Sequence, residues 1–210
     1  MAALFFTAFI LGLSGAMMPG PLLTYVINGS LRSGFKAGPL IIIGHSILEL
    51  ILIILIFVGL RDLFSNPVFT SIVGISGGSV LLWMGYDMVK ASLKKEISIE
   101  KEKNRKEKVS GYIIPGAIIS ISNPYWILWW ATVGITYLTR SYQHGISGTG
   151  IFYIGHISAD FAWYGLIAGV MSMGKKYIND KIYNGLVAFF GIALIYFAGT
   201  FIYDGIIYFI

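Results

Sequence analysis

The chain contains no cysteine, which excludes disulfides, thiolate metal sites and thiol redox chemistry. It is also poor in charge. Asp, Glu, Lys and Arg make up 12% of its 210 residues, about half the share that a soluble domain carries. The few charges are confined. Between Lys36 and Arg61 the only ionisable side chains are His45 and Glu49, and from Val109 to Thr139 there is no Lys, Arg, Asp, Glu or His. Between His144 and Lys175 only His156 and Asp160 interrupt the apolar run. The first residues lack a basic stretch, which argues against a cleaved signal peptide. No P-loop, nucleophile elbow or zinc-protease motif occurs, so nothing points to ATP hydrolysis, proteolysis or any other enzyme activity, and no cofactor is implied.

What is present is hydrocarbon. The sequence is 56% hydrophobic with a mean hydropathy of +0.77, and its charge-free gaps exceed the roughly 20 apolar residues that cross a bilayer core. Six apolar segments can be drawn, approximately Leu4–Ile27, Gly38–Leu60, Pro67–Val89, Gly111–Leu138, Ser147–Met173 and Ile182–Tyr203. They lack the two-residue alternation of a membrane barrel. The expected fold is therefore an all-α integral membrane protein with six transmembrane helices. Residues 90–108 hold eight Lys/Arg and four Glu and read as a solvated linker within 90–110. The net charge of +5 falls in short connections, where membrane topology explains it better than nucleic acid does. With six spans, 13 of the 15 basic residues share one side with the linker. By the positive-inside rule that side is cytoplasmic, and both termini face out of the cell membrane.

The two halves, 1–89 and 111–210, resemble each other. Gly44-His45 followed by Glu49 matches Gly155-His156 followed by Asp160 at a constant offset of 111. Pro19 of the first span pairs with Pro124 of the fourth, and Gly77-x7-Gly85 is echoed by Gly191-x7-Gly199. Three helices per copy put the second copy in the membrane upside down, an inverted repeat of the kind transporters use, with the site at the midplane.

Pro19-Gly20-Pro21 and Asn123-Pro124 should break helices one and four, because proline removes a backbone donor and clashes with the preceding turn. Each break reads either as a simple kink or as a discontinuous helix lining a substrate path. Glu49 and Asp160 are the acidic residues deep in apolar spans, and each has a histidine one helical turn earlier on the same face. Three readings stay open for His45, Glu49, His156 and Asp160. They could bind substrate or relay protons, ligate a divalent metal ion, or merely satisfy one another as two separate pairs between packed helices. Gly34 and Gly38, Gly74 and Gly78, and Gly165 and Gly169 are spaced for close helix contact. Trp126, Trp129 and Trp130 read as packing or interfacial anchors.

Several of these features resemble the LysE-type family of amino-acid exporters. The resemblance rests on Pro19-Gly20-Pro21, on Gly34-x3-Gly38-x5-Gly44 with Glu49 five residues later, on Leu82-Trp83-Met84-Gly85, and on Asn123-Pro124. It implies a small six-helix secondary carrier that expels amino acids or related metabolites, driven by a proton or other ion gradient. Tyr125 follows Asn123-Pro124 where the family often has lysine, and the two His–acid pairs keep a divalent-cation exporter as the alternative. In the carrier reading Pro19, Gly20, Pro21, Asn123 and Pro124 shape the midplane site. Glu49 and Asp160, with His45 and His156, then bind substrate or the coupling proton as one repeat rocks against the other. A homo-oligomer is left open.

The absence of cysteine makes the topology directly testable. An E100C variant in the linker is expected to react with a membrane-impermeant maleimide only after cells are opened. Labelling in intact cells would place the linker outside.

Overall fold

The computed structural model describes residues 1–64, 66–95, 109–174 and 177–208. The expected linker lies largely outside them. Among the described residues every regular element is a helix. The α-helices are α1 (Ala2–Ala16), α2 (Pro21–Ser33), α3 (Ala37–Leu55), α4 (Arg61–Phe64), α5 (Pro67–Leu93), α6 (Ile113–Ile121), α7 (Pro124–Trp129), α8 (Ile135–Tyr142), α9 (Gly145–Gly174) and α10 (Asp180–Ile207). Single π-helical segments, Ile56–Leu60 and Trp130–Gly134, prolong α3 and join α7 to α8.

Helix starts follow the local chemistry. Asn66 caps α5 by accepting the Val68 and Phe69 N–H groups at 2.9 and 3.3 Å, and Pro67 follows at the first helical position. Asn123 caps α7 in the same way, accepting from Tyr125 N–H at 3.1 Å ahead of Pro124. Asn179 caps α10 through the Ile182 N–H at 2.9 Å. Helix α2, like α1, α3 and α6, starts without a side-chain cap. Its cap is Gly20, which offers no side chain, with Pro21 next. Gly34 ends α2 at φ +78°, a conformation that favours glycine.

Ala37–Leu60, α5 and α10 are each long and apolar enough to cross a membrane unbroken. The pair α1 and α2 meets the same test as one span bent by 81°. The first expected span is thus two helices with a sharp corner at residues 17–20, and the fourth is divided at Ser122 and Asn123. Large apolar side chains such as Phe189 and Ile192 on α10 and Ile72 and Trp83 on α5 are exposed, as expected of surfaces solvated by lipid rather than water. Only 22% of the most apolar window of α10 is buried, against 44% for Ala37–Leu60. Helix α3 is therefore interior and α10 peripheral.

Several helix pairs pack at backbone distance through glycine. Helix α1 lies on α9, where a Cβ at Gly12 would stand 2.9 Å from the His156 carbonyl and one at Gly155 2.7 Å from that of Phe5. Helix α3 lies on α6, where a side chain at Gly44 would overlap the Ile113 carbonyl and one at Gly116 that of Ile41. Helix α5 lies along α10 through Gly74, Gly78, Gly85 and Gly191. The expected glycine pairs divide. Gly74 and Gly78 are both in close contact, but at the other two pairs only Gly38 is, against Tyr164 and Ala168. Gly34 and Gly165 meet nothing within 4 Å, and Gly169 only the Phe35 ring at 4.0 Å. Spacing alone does not say which helix face meets a neighbour. Gly199, in the echoed pattern, is also open.

This contrast predicts opposite outcomes for one substitution. Gly44→Ala should destabilise the detergent-purified protein by about 1–3 kcal/mol, the usual range for overpacking. Gly165→Ala should leave its thermal unfolding unchanged or slightly raised, since alanine is the better helix former.

Candidate functional site

Residues four apart on a helix share a face, so His45 and Glu49 project together from α3 and His156 and Asp160 together from α9. The fold brings the two faces into contact. Nε2 of His45 lies 3.2 Å from Glu49 Oε1 and 3.6 Å from Asp160 Oδ2. Nε2 of His156 lies 3.0 Å from Glu49 Oε2 and 3.6 Å from Asp160 Oδ2. The pairs do not satisfy themselves separately: the carboxylate nearest His156 belongs to the other half of the chain. All four are buried, with Glu49 1% and Asp160 3% exposed.

The second half also supplies partners that the sequence did not announce. Trp126 and Trp130 are one helical turn apart, and both indole N–H groups donate to Glu49 Oε1 at 2.9 Å. They were expected as packing or interfacial anchors. Both are buried in an apolar cluster with Trp129, Leu52 and Phe152, but two of the three also bind a carboxylate. Ser120, on α6, donates to the Gly116 carbonyl at 2.7 Å and lies 2.8 Å from His45 Nδ1. Its single hydrogen is thereby committed, so it accepts from Nδ1–H of His45. That leaves His45 Nε2 as the nitrogen facing the carboxylates. The His156 ring lies 4.7 Å from the Trp129 ring and 6.2 Å from that of Phe152.

The two helix breaks meet beside this cluster. A Cβ on Gly20 would be 3.6 Å from Asn123 Nδ2, so the caps of α2 and α7 face each other. The Tyr125 hydroxyl reaches the Ser14 carbonyl at 3.5 Å, and that of Tyr153 reaches the Ser46 carbonyl at 2.9 Å. Between the breaks and the cluster is a cavity of about 40 Å³, lined by Gly15, Asn123, Tyr125, Trp129 and Tyr164 with the four ionisable residues. It has room for water or an ion, since one water needs roughly 10–15 Å³ on this measure. Among the described residues no Lys or Arg lines it. Pro19 lies elsewhere, lining a separate space with Met17, Trp163 and Phe189. The structural counterpart of Pro124 is therefore Pro21, each the first residue of its helix, rather than Pro19.

The sequence profile of the LysE type translocator family matches residues 13–205. The chain belongs to that family. The matched span contains both breaks and all four cluster residues, and the family is one of translocators rather than enzymes. The LysE type chain is 23% identical over 208 residues to YcgF of Bacillus subtilis (strain 168), a protein provisionally named for amino acid efflux, with 97% of each covered. It is 25% identical over 206 residues to the threonine efflux proteins of Salmonella typhi and Salmonella typhimurium, covering 93% of this chain and 98% of theirs. No solved structure matches it.

The indole clamp carries a measurable energy. Trp130→Phe keeps most of the ring and deletes one hydrogen bond to a charged group, a loss of about 1.5–3 kcal/mol. Unfolding in detergent should show it. Trp83→Phe, on an indole that is 69% exposed, should shift stability by less than about 0.5 kcal/mol.

Proposed function

We propose that this translocator is a secondary exporter of amino acids or related small metabolites across the cytoplasmic membrane, coupled to an ion gradient with H⁺ as the coupling ion. The observation that carries the reading is the buried His45–Glu49–His156–Asp160 cluster, assembled from two helices of different halves where two helix breaks meet. A carboxylate in an apolar interior costs several kcal/mol on most scales and marks a substrate or ion path when it occurs. Glu49 and Asp160 receive the substrate ammonium or the coupling proton. His45 and His156 exchange charge with them.

The reciprocal contacts support two inverted three-helix repeats. The second helix of each half, α3 or α9, packs on the first half-helix of the other, α6 or α1. The third helices, α5 and α10, pack on each other. That is the pattern a two-fold axis in the membrane plane produces. The uncapped start of α2 is the end whose N–H groups suit a substrate carboxylate, whereas Asn123 already occupies the start of α7. The cavity is too small for an amino acid, so this shape is a closed one and cargo enters only after the breaks part. In this reading both termini lie outside and the basic linker inside.

Efflux of mixed amino acids from loaded proteoliposomes tests the proposal. Wild-type protein should expel at least one of them faster when a proton gradient is imposed, and Glu49→Gln and Asp160→Asn should reduce flux to that of empty vesicles. Undiminished flux in both variants would remove the carboxylates from the mechanism.

A further inference from the structure

We propose that His45, Glu49, His156 and Asp160 form a binding site for one divalent transition-metal cation of the zinc class. The inference concerns occupancy of the site and stands whether or not amino acids are the cargo. It does not make the metal the exported species.

Glu49 divides its carboxylate: Oε1 is held by the two indoles, while Oε2 faces Nε2 of His156 at 3.0 Å. Asp160 Oδ2 accepts no hydrogen bond, although it is buried and lies 3.6 Å from both imidazole Nε2 atoms. A distance of that size is too long for a hydrogen bond. Buried oxygens without a donor are costly, and buried charges are paired or coordinate metal. His45 presents an unprotonated Nε2 to the same point when neutral, because Ser120 holds its Nδ1–H. In that state its lone pair and the unpartnered Asp160 oxygen face one gap, an arrangement that a cation stabilises.

Tetrahedral zinc with ligand bonds of about 2.0–2.2 Å sets neighbouring ligand atoms roughly 3.3–3.6 Å apart. With Glu49 Oε2 as its ligand atom, the separations are 3.0 Å to His156 Nε2 and 3.6 Å from Asp160 Oδ2 to each imidazole Nε2. One ligand atom from each of the four residues falls within 4.8 Å of the others. Two imidazoles with two carboxylates suit a first-row transition ion, whereas Mg²⁺ and Ca²⁺ call for a shell of oxygens.

Ligating histidines donate their second N–H to a fixed acceptor, and ligating carboxylates are themselves hydrogen-bonded. His45 is backed by Ser120 and the Gly116 carbonyl, and Glu49 by Trp126 and Trp130. Ser120 thus acts as a positioning residue that touches no ion. The two tryptophans make a built-in reporter, since their N–H groups hold the carboxylate that the ion would engage.

The test is a titration of the full-length protein in detergent with zinc chloride, without substrate or gradient, read by calorimetry and by tryptophan fluorescence. One ion per chain should bind saturably with a change in indole emission, and excess Mg²⁺ should not displace it. His156→Gln and Asp160→Asn should abolish binding. Should either fail to fold, Ser120→Ala decides, because losing an outer partner of this kind weakens metal affinity about 10- to 100-fold. Absence of saturable binding in the wild type, or wild-type affinity in Ser120→Ala or in folded ligand variants, would overturn the proposal. A protein that binds no zinc yet exports amino acids refutes only this inference. One that binds zinc but exports none refutes only the functional reading.

Discussion

A carboxylate deep in an apolar membrane protein has to be compensated where it stands, because neither lipid nor distant charge can do it. In this chain that constraint falls on Glu49. Its oxygens are met by two indole N–H groups and two imidazoles drawn from α3, α7, its π-helical continuation and α9. Removing one partner of a buried charge is strongly destabilising, far more so than the net value of the pair. The elements that carry these partners are therefore held in one register. The packing of Trp126, Trp129 and Trp130 with Leu52 and Phe152 follows from where the indoles must stand.

The helix breaks make sense beside such a group. An interrupted helix frees backbone polar groups, which are tolerated at this depth only against protein or a wet cavity. Here they face each other across Gly20 and Asn123, next to a small polar cavity. The π-helical segment after Trp129 belongs to the same design, since extra residues inside a helix are common at functional sites. Break, cavity and ionisable cluster thus occupy one place.

Much of this was legible in the sequence, within limits set by the range of each signal. Apolar runs report which segments avoid water, and proline reports where a helix cannot continue, so the apolar helical segments and both breaks could be drawn from residues alone. Among the described residues, however, only three helices and one bent pair, against the six expected, are long and apolar enough to cross a membrane. The four-residue spacing of His45 with Glu49 and of His156 with Asp160 put each pair on one helical face. It could not show that the two faces meet, because that depends on how α3 and α9 are rotated and what they pack against. The partners of Glu49 were missed for the same reason. Tryptophan is apolar enough to pass as an anchor, and only its N–H, whose target is tertiary, gives it a second role. The glycine pairs failed where they met no neighbouring helix at close range. Pro19 was paired with Pro124 because both stand within corresponding apolar spans, whereas in the fold it is Pro21 that, like Pro124, begins a helix.

Glycine contacts at the level of the backbone have a mechanical consequence. Where a helix rests on its neighbour's carbonyl groups, as α3 does on α6 and α1 on α9, the two cannot slide or roll without collision, so each pair behaves as one stiff beam. The beams join helices from opposite ends of the chain. His45 and Glu49 ride on one beam, and His156 and Asp160 on the other. The two beams meet where Gly38 of α3 rests on Tyr164 and Ala168 of α9, so the ionisable cluster lies between crossed pairs of helices rather than between the first and second halves of the sequence.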